Sequence, residues 1–176
     1  MLITAIVACE IGFWVAVLGG LTLRYVGGRR RAGAVVLALA PVIDAALLAV
    51  TALDLARGGR AEWAHGLAAL YIGVSIAYGR RMVAWADARF AHWRSGRALP
   101  PRPTGWTYTR ACWADVLRTG LAVLVAGAVV GGFLLVFGTG ARTDALVAWL
   151  PVLGVVLGVE LLWALGHTVW PRRGRS

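Results

Sequence analysis

Three carboxylates and two imidazoles lie inside long apolar runs: Glu10, Asp44 and Glu160, with His65 and His167. A charge at the centre of a hydrocarbon layer costs about 2.5–3.5 kcal/mol on insertion scales, so such groups turn inward and take up a proton, a hydrogen bond or a cation. This is the chemistry of a proton or ion path, and these five residues are the candidates for it. Glu160 and His167 are seven residues apart, which puts them on one helical face two turns from each other. Glu10 and Asp44 fall within about 4 Å along the membrane normal, at ~1.5 Å per helical residue. They are expected to face a common interior site and share a proton or a cation. Tyr71, Ser75 and Tyr78 form a polar stripe that offers partner hydroxyls. The plainer reading of the set is packing, since an interhelical hydrogen bond contributes about 0.6–2 kcal/mol. Packing is favoured for His65 and His167, which fall near opposite membrane faces and so do not suit joint ligation of one haem.

The elements that hold these residues follow from composition. Of the 176 residues, 60% are apolar and 15% charged, too little polar surface to cover a soluble domain of this size. Windows of about 20 mainly apolar residues recur at about 3–26, 32–54, 62–80, 117–139 and 145–168, each enough to span roughly 30 Å of hydrocarbon. The expected fold is therefore all-α, a single transmembrane bundle of five helices. A cleaved signal peptide is the competing reading of the first window. It is set aside because no basic residue precedes the window and Glu10 lies within it.

All eighteen basic residues are arginine, against eight acids, for a net charge of +10. Arg24, Arg29, Arg30 and Arg31 follow the first window; Arg80, Arg81, Arg89, Arg94, Arg97, Arg102, Arg110 and Arg118 flank or fill the long third connection; Arg172, Arg173 and Arg175 come last. Five spans put these fifteen on one side and Arg57, Arg60 and Arg142 on the other. The positive-inside bias makes the richer side cytoplasmic, with the N-terminus outside and the C-terminus inside the bacterial cytoplasmic membrane.

The third connection, residues 81–116, carries a linker signal at "ALPPRPTGW", where paired prolines and Gly105 forbid a continuous helix. On either side the pattern is amphipathic: Met82, Ala86, Phe90 and Trp93 share one face, and Trp106, Trp113 and Leu117 another. The third and fourth spans are expected to extend as helices along the membrane surface, with their aromatic residues at the interface. Arginine among aromatics also suits nucleic acid, by phosphate neutralisation and base stacking. Attraction to anionic headgroups needs nothing further and is preferred, with Arg29, Arg30, Arg31, Arg80, Arg81, Arg89 and Arg94 as the contacts and no nucleic-acid partner.

Gly127 and Gly131, and Gly154 and Gly158, each form G-x-x-x-G, which bares a stripe of backbone for close helix packing. Packing within the chain is the default reading, with homodimerisation the alternative. Cys9 falls in a span and Cys112 in the connection on the opposite side, so no disulfide is expected. There is no H-E-x-x-H, paired-cysteine motif, Walker loop or G-x-S-x-G; no catalytic residue, metal or cofactor is assigned, and an enzyme is not expected. A structural or regulatory partner of other membrane components leads, and a proton- or cation-coupled transporter or channel is the alternative.

"CEIGFW", "PVIDAALL", "HGLAALYIGVSIAYG", "WADARF" and "VELLWAL" resemble segments of a group of small multi-pass membrane proteins of bacteria. The resemblance covers most of the chain. It implies localisation and architecture, and transfers no catalytic or binding residue.

Overall fold

Long apolar runs with few Gly-Pro breaks close into helices because the backbone must satisfy its own hydrogen bonds where water is absent. The structure, a computed structural model, describes residues 2–101 and 103–170, and it is helical in each of the expected windows. The helices are α1 (Leu2–Tyr25), α2 (Arg30–Ala56), α3 (Trp63–Ser95), α4 (Gly105–Phe137), α5 (Asp144–Val147) and α6 (Trp149–Val169), with no strand among the described residues. Arg102, Arg172, Arg173 and Arg175 of the charge asymmetry lie outside the described residues.

Local chemistry explains where the elements differ from the sequence windows. Helix α3 does not stop near residue 80 but runs to Ser95, since no Gly or Pro interrupts residues 80–95. It ends where Gly96 turns left-handed at φ 64° and its N–H bonds the carbonyl of His92. Helix α4 starts at Gly105, directly after the proline-rich segment. Cys112 therefore lies within a helix rather than in a loop, and both cysteines are free. The last window is broken at Ala148. Pro151 has no amide to bond the carbonyl of Val147, so α5 ends there and Pro151 falls in the first turn of α6, where the missing donor costs least.

Four stretches are long and apolar enough to cross a membrane: Val7–Tyr25, Arg30–Ala56, Gly105–Phe137 and Asp144–Val169. Helix α3 is not among them, because His65 and the pair Arg80 and Arg81 bracket its apolar part.

The chain divides into two compact units, Met1–Ile72 with Val125–Trp149, and Gly73–Leu124 with Leu150–Ser176. Both bury small residues beside larger ones such as Leu47, Leu55 and Val116, and leave many large apolar side chains outward. The first buries Ala16, Ala40, Ala68, Ala69 and Ala126 while exposing Leu18, Val35 and Leu135; the second buries Ala122 and Ala164 while exposing Leu117 and Leu162. Lipid is as apolar as leucine, so large side chains gain little by turning inward, whereas small ones let backbones approach and collect dispersion contacts. In the first unit α1 packs on α2. A Cβ at Gly33 would lie 2.6 Å from both the Cβ of Arg24 and the carbonyl oxygen of Gly20, so only hydrogen fits there.

Candidate functional site

In the first unit the buried polar groups are Asp44 and Thr51 on one face of α2, His65 at the start of α3, and Thr143 just before α5. Asp44 is 7% exposed, one turn beyond Pro41, and shares the buried face with Leu47, Leu48, Thr51 and Leu55. Thr51 is satisfied locally, its hydroxyl donating to the carbonyl of Leu47 at 2.8 Å. Oδ2 of Asp44 is buried without a hydrogen-bond partner among the described residues.

His65 is fully buried, and its Nδ1 accepts the backbone N–H of Glu62 at 2.8 Å. That bond satisfies one orphan donor at the start of α3. With Nδ1 an acceptor, the neutral ring carries its proton on Nε2, which is buried and without a partner among the described residues. Around it the chain is tied at several points. The N–H of Ala61 bonds the carbonyl of Arg142 at 2.8 Å, the Arg142 guanidinium reaches the carbonyl of Leu55 at 3.5 Å, and Thr143 donates to the carbonyl of Gly138 at 2.8 Å.

In the second unit α3 and α4 form an antiparallel ladder. A Cβ at Gly73 would fall 2.3 Å from the carbonyl oxygen of Ala122, so the two backbones touch at this level. Next, the Tyr78 hydroxyl donates to the carbonyl of Asp115 at 3.0 Å and pairs with the hydroxyl of Thr119 at 2.7 Å. Beyond it, Arg81 and Arg118 both donate through Nη1 to the same carboxylate oxygen, Oδ1 of Asp115, the latter at 2.8 Å. A second cluster joins α4 to α6. Thr109 donates to the carbonyl of His167, Trp113 to the hydroxyl of Thr168, and Cys112, Val116 and Ala164 pack together against Tyr108 and Leu161.

Several expectations are corrected by this geometry. Glu10 is exposed on α1 while Asp44 is buried on α2, and no hydrogen bond joins them among the described residues, so the common interior site is not formed. The physical reason is rotational: α1 and α2 are neighbours as expected, but α1 turns Ala16 and Gly20 inward, and Glu10 does not share that face. Tyr71 is exposed with its ring stacked on Phe13 at 5.6 Å, and the Tyr78 hydroxyl serves Asp115 and Thr119 rather than the acids; Ser75 is half-buried. Glu160 is half-buried on α6, and Nδ1 of His167 bonds the carbonyl of Trp163 at 2.9 Å, with the imidazole centroid 4.9 Å from those of Tyr108 and Trp163. Glu160 and His167 both lie on α6, and no hydrogen bond joins them among the described residues.

The G-x-x-x-G stripes do not pack within the chain either. A Cβ built at Gly127, Gly131, Gly154 or Gly158 meets nothing within 4 Å, whereas close approaches between helices fall at Gly20, Gly33, Gly66 and Gly73. Arg29, Arg30, Arg31, Arg80, Arg81, Arg89 and Arg94 are all exposed. Two of them are already engaged: Arg81 with Asp115, and Arg89 over the Trp85 ring at 4.8 Å. Sequence reasoning missed the pairing of Asp115 with Arg118. Its signal was their spacing of three on a helix, which places opposite charges side by side.

No family model matches the chain, and no solved structure matches it. The chain is similar to the "Uncharacterized membrane protein YmcC" of Bacillus subtilis (strain 168), at 39% identity over 172 residues, covering 97% of this chain and 93% of the relative. The similarity therefore runs along nearly the full length of both chains rather than through one shared segment.

Proposed function

Since the chain belongs to the family of small membrane proteins that includes YmcC of Bacillus subtilis, we propose that it is a five-span protein of the bacterial cytoplasmic membrane, N-terminus outside and C-terminus inside, with a non-enzymatic role as a structural or regulatory partner of other membrane components. The observation that carries this reading is the pair of helical extensions beyond the apolar segments, residues 80–95 of α3 and 105–118 of α4, which expose Trp85, Trp93 and Trp106 among arginines. Aromatic rings on helices rich in guanidinium groups suit the headgroup layer and a neighbouring protein within it. An odd number of spans brings the arginine-rich segments to one side. The apolar part of α3, residues 63–79, is about 25 Å long at ~1.5 Å per residue, and Arg80 and Arg81 can reach the interface from its end.

Reporter fusions after Ser95 and at the C-terminus test the topology, with both expected to report cytoplasm. Activity of the C-terminal fusion only outside the cytoplasm overturns it. Affinity purification from membranes tests the role, since a specific membrane partner should be retained by the intact chain and lost when Trp85 and Trp93 are replaced by alanine.

A second reading, a proton or cation path, is favoured by one observation: Oδ2 of Asp44 and Nε2 of His65 are buried and unpartnered among the described residues of the first unit. Proteoliposome flux abolished by Asp44→Asn would decide for it. Absence of flux from the intact chain would remove it.

A further inference from the structure

We propose that Arg81 and Arg118, held together by Asp115, form a binding site for a phosphodiester anion, the group carried by an anionic glycerophospholipid headgroup. The site begins as a charge imbalance: one carboxylate oxygen receives an Nη1 donor from each of two arginines, which leaves a net charge of +1. One arginine would have neutralised Asp115. The second brings two like charges onto one oxygen, and an anion on their open side relieves that repulsion.

The donors for such an anion are present. A guanidinium offers five N–H groups in a planar fork that matches phosphate oxygens, and Asp115 takes only one from each arginine. The two arginine side chains remain 49% and 38% exposed, against 24% for Asp115, so the cationic partners are more accessible than the carboxylate they share.

The position is preset by the ladder beneath it. The backbone contact of Gly73 with Ala122 sets the distance between α3 and α4, and Tyr78, bonded to the carbonyl of Asp115 and to Thr119, fixes the turn that carries the carboxylate. Just below this level the outward residues are apolar, with Ile76 60% and Leu121 45% exposed; at it, the guanidinium groups of Arg81 and Arg118 stand outward beside the apolar side chains of Met82 and Leu117. That is the change from acyl chain to phosphate. The assignment rests on the membrane-spanning reading of α3 and α4, and needs neither a protein partner nor a particular orientation.

Native mass spectrometry of the full-length chain, released from detergent with phosphatidylglycerol or phosphatidylcholine, tests it. Phosphatidylglycerol should be retained in preference to phosphatidylcholine. Arg118→Gln and Arg81→Gln should each weaken retention by about tenfold, the effect of losing a charge-assisted hydrogen bond, while Arg97→Gln, at an exposed arginine of the following segment, leaves it unchanged. Asp115→Asn, which removes the countercharge, should preserve or tighten binding. Circular dichroism of each variant checks that the helices persist, and Arg118→Lys distinguishes loss of the fork from loss of charge by restoring retention only in part. Equal losses for Arg97→Gln and Arg118→Gln would reduce the effect to general surface charge and overturn the site. Displacement of the lipid by millimolar inorganic phosphate would overturn the lipid assignment in favour of a soluble anion. Fusions that reversed the orientation, or purification without a protein partner, would leave these binding results unaffected, so the role proposed above and this site fail separately.

Discussion

The indole N–H of Trp149 donates to the backbone carbonyl of Trp63 at 3.0 Å, and the two ring centroids lie 4.4 Å apart. Trp149 is 4% exposed, at the first residue of α6, and Trp63 is the first residue of α3. One side chain thus fastens two helix starts. Trp149→Phe, which keeps a ring and removes the donor, should cost about 1 kcal/mol, whereas Trp149→Ala should cost about 3–5 kcal/mol. Thermal unfolding in detergent reads both. Equal losses would place the whole effect on the hydrogen bond and none on the ring.

Close packing of α1 on α2 depends on the absence of a side chain at Gly33. Gly33→Ala should destabilise the protein by about 1–3 kcal/mol, because the new methyl meets backbone and Cβ atoms that cannot swing away. Gly127→Ala and Gly158→Ala meet open space and should be neutral or stabilising by up to about 1 kcal/mol. If Gly33→Ala melted at the same temperature as Gly127→Ala, the close approach would be wrong.

Tyr78 links α3 to α4 through one oxygen. Tyr78→Phe should cost about 1 kcal/mol, and a double-mutant cycle with Thr119→Val should show coupling of about 0.6 kcal/mol or more, the range of hydrogen bonds between membrane helices. Strict additivity would mean the two hydroxyls do not meet.

Asp44 is buried with one carboxylate oxygen unpartnered among the described residues, an arrangement that costs stability if the group is ionised. Asp44→Asn removes the charge while keeping shape, and should raise the unfolding free energy at neutral pH by about 1 kcal/mol or more. A lower stability for the asparagine variant would overturn this expectation and point to a stabilising partner of the carboxyl group, such as a bound cation. Adding and chelating that cation before unfolding would then confirm it.

What the sequence determined alone is the medium and the elements. The apolar windows and scarce charge call for hydrocarbon, because 60% apolar residues cannot all be hidden in so small a fold. Helix ends were legible where chemistry is local: Gly96 and Gly105 stand at the two edges of the proline-rich break, and the amphipathic residues after position 80 do continue the helix of α3.

The rotation of each helix about its axis was decided only by the tertiary structure. In water an apolar stripe marks the inward face, but in lipid both faces are apolar and the stripe disappears. Nothing in α1 therefore announced that Glu10 would turn outward while Ala16 and Gly20 turned in. Glycine could not decide it either. With 23 glycines in the chain, the motif spacing pointed to Gly127, Gly131, Gly154 and Gly158, while the backbones meet at Gly33 and Gly73, because contact needs a small residue on one helix to face a close backbone on another. The same holds for charge. Asp115 and Arg118 are neighbours along α4 and so were readable as a pair, but Arg81 reaches them from 34 positions away, and only the packing of α3 against α4 brings the second guanidinium to that carboxylate.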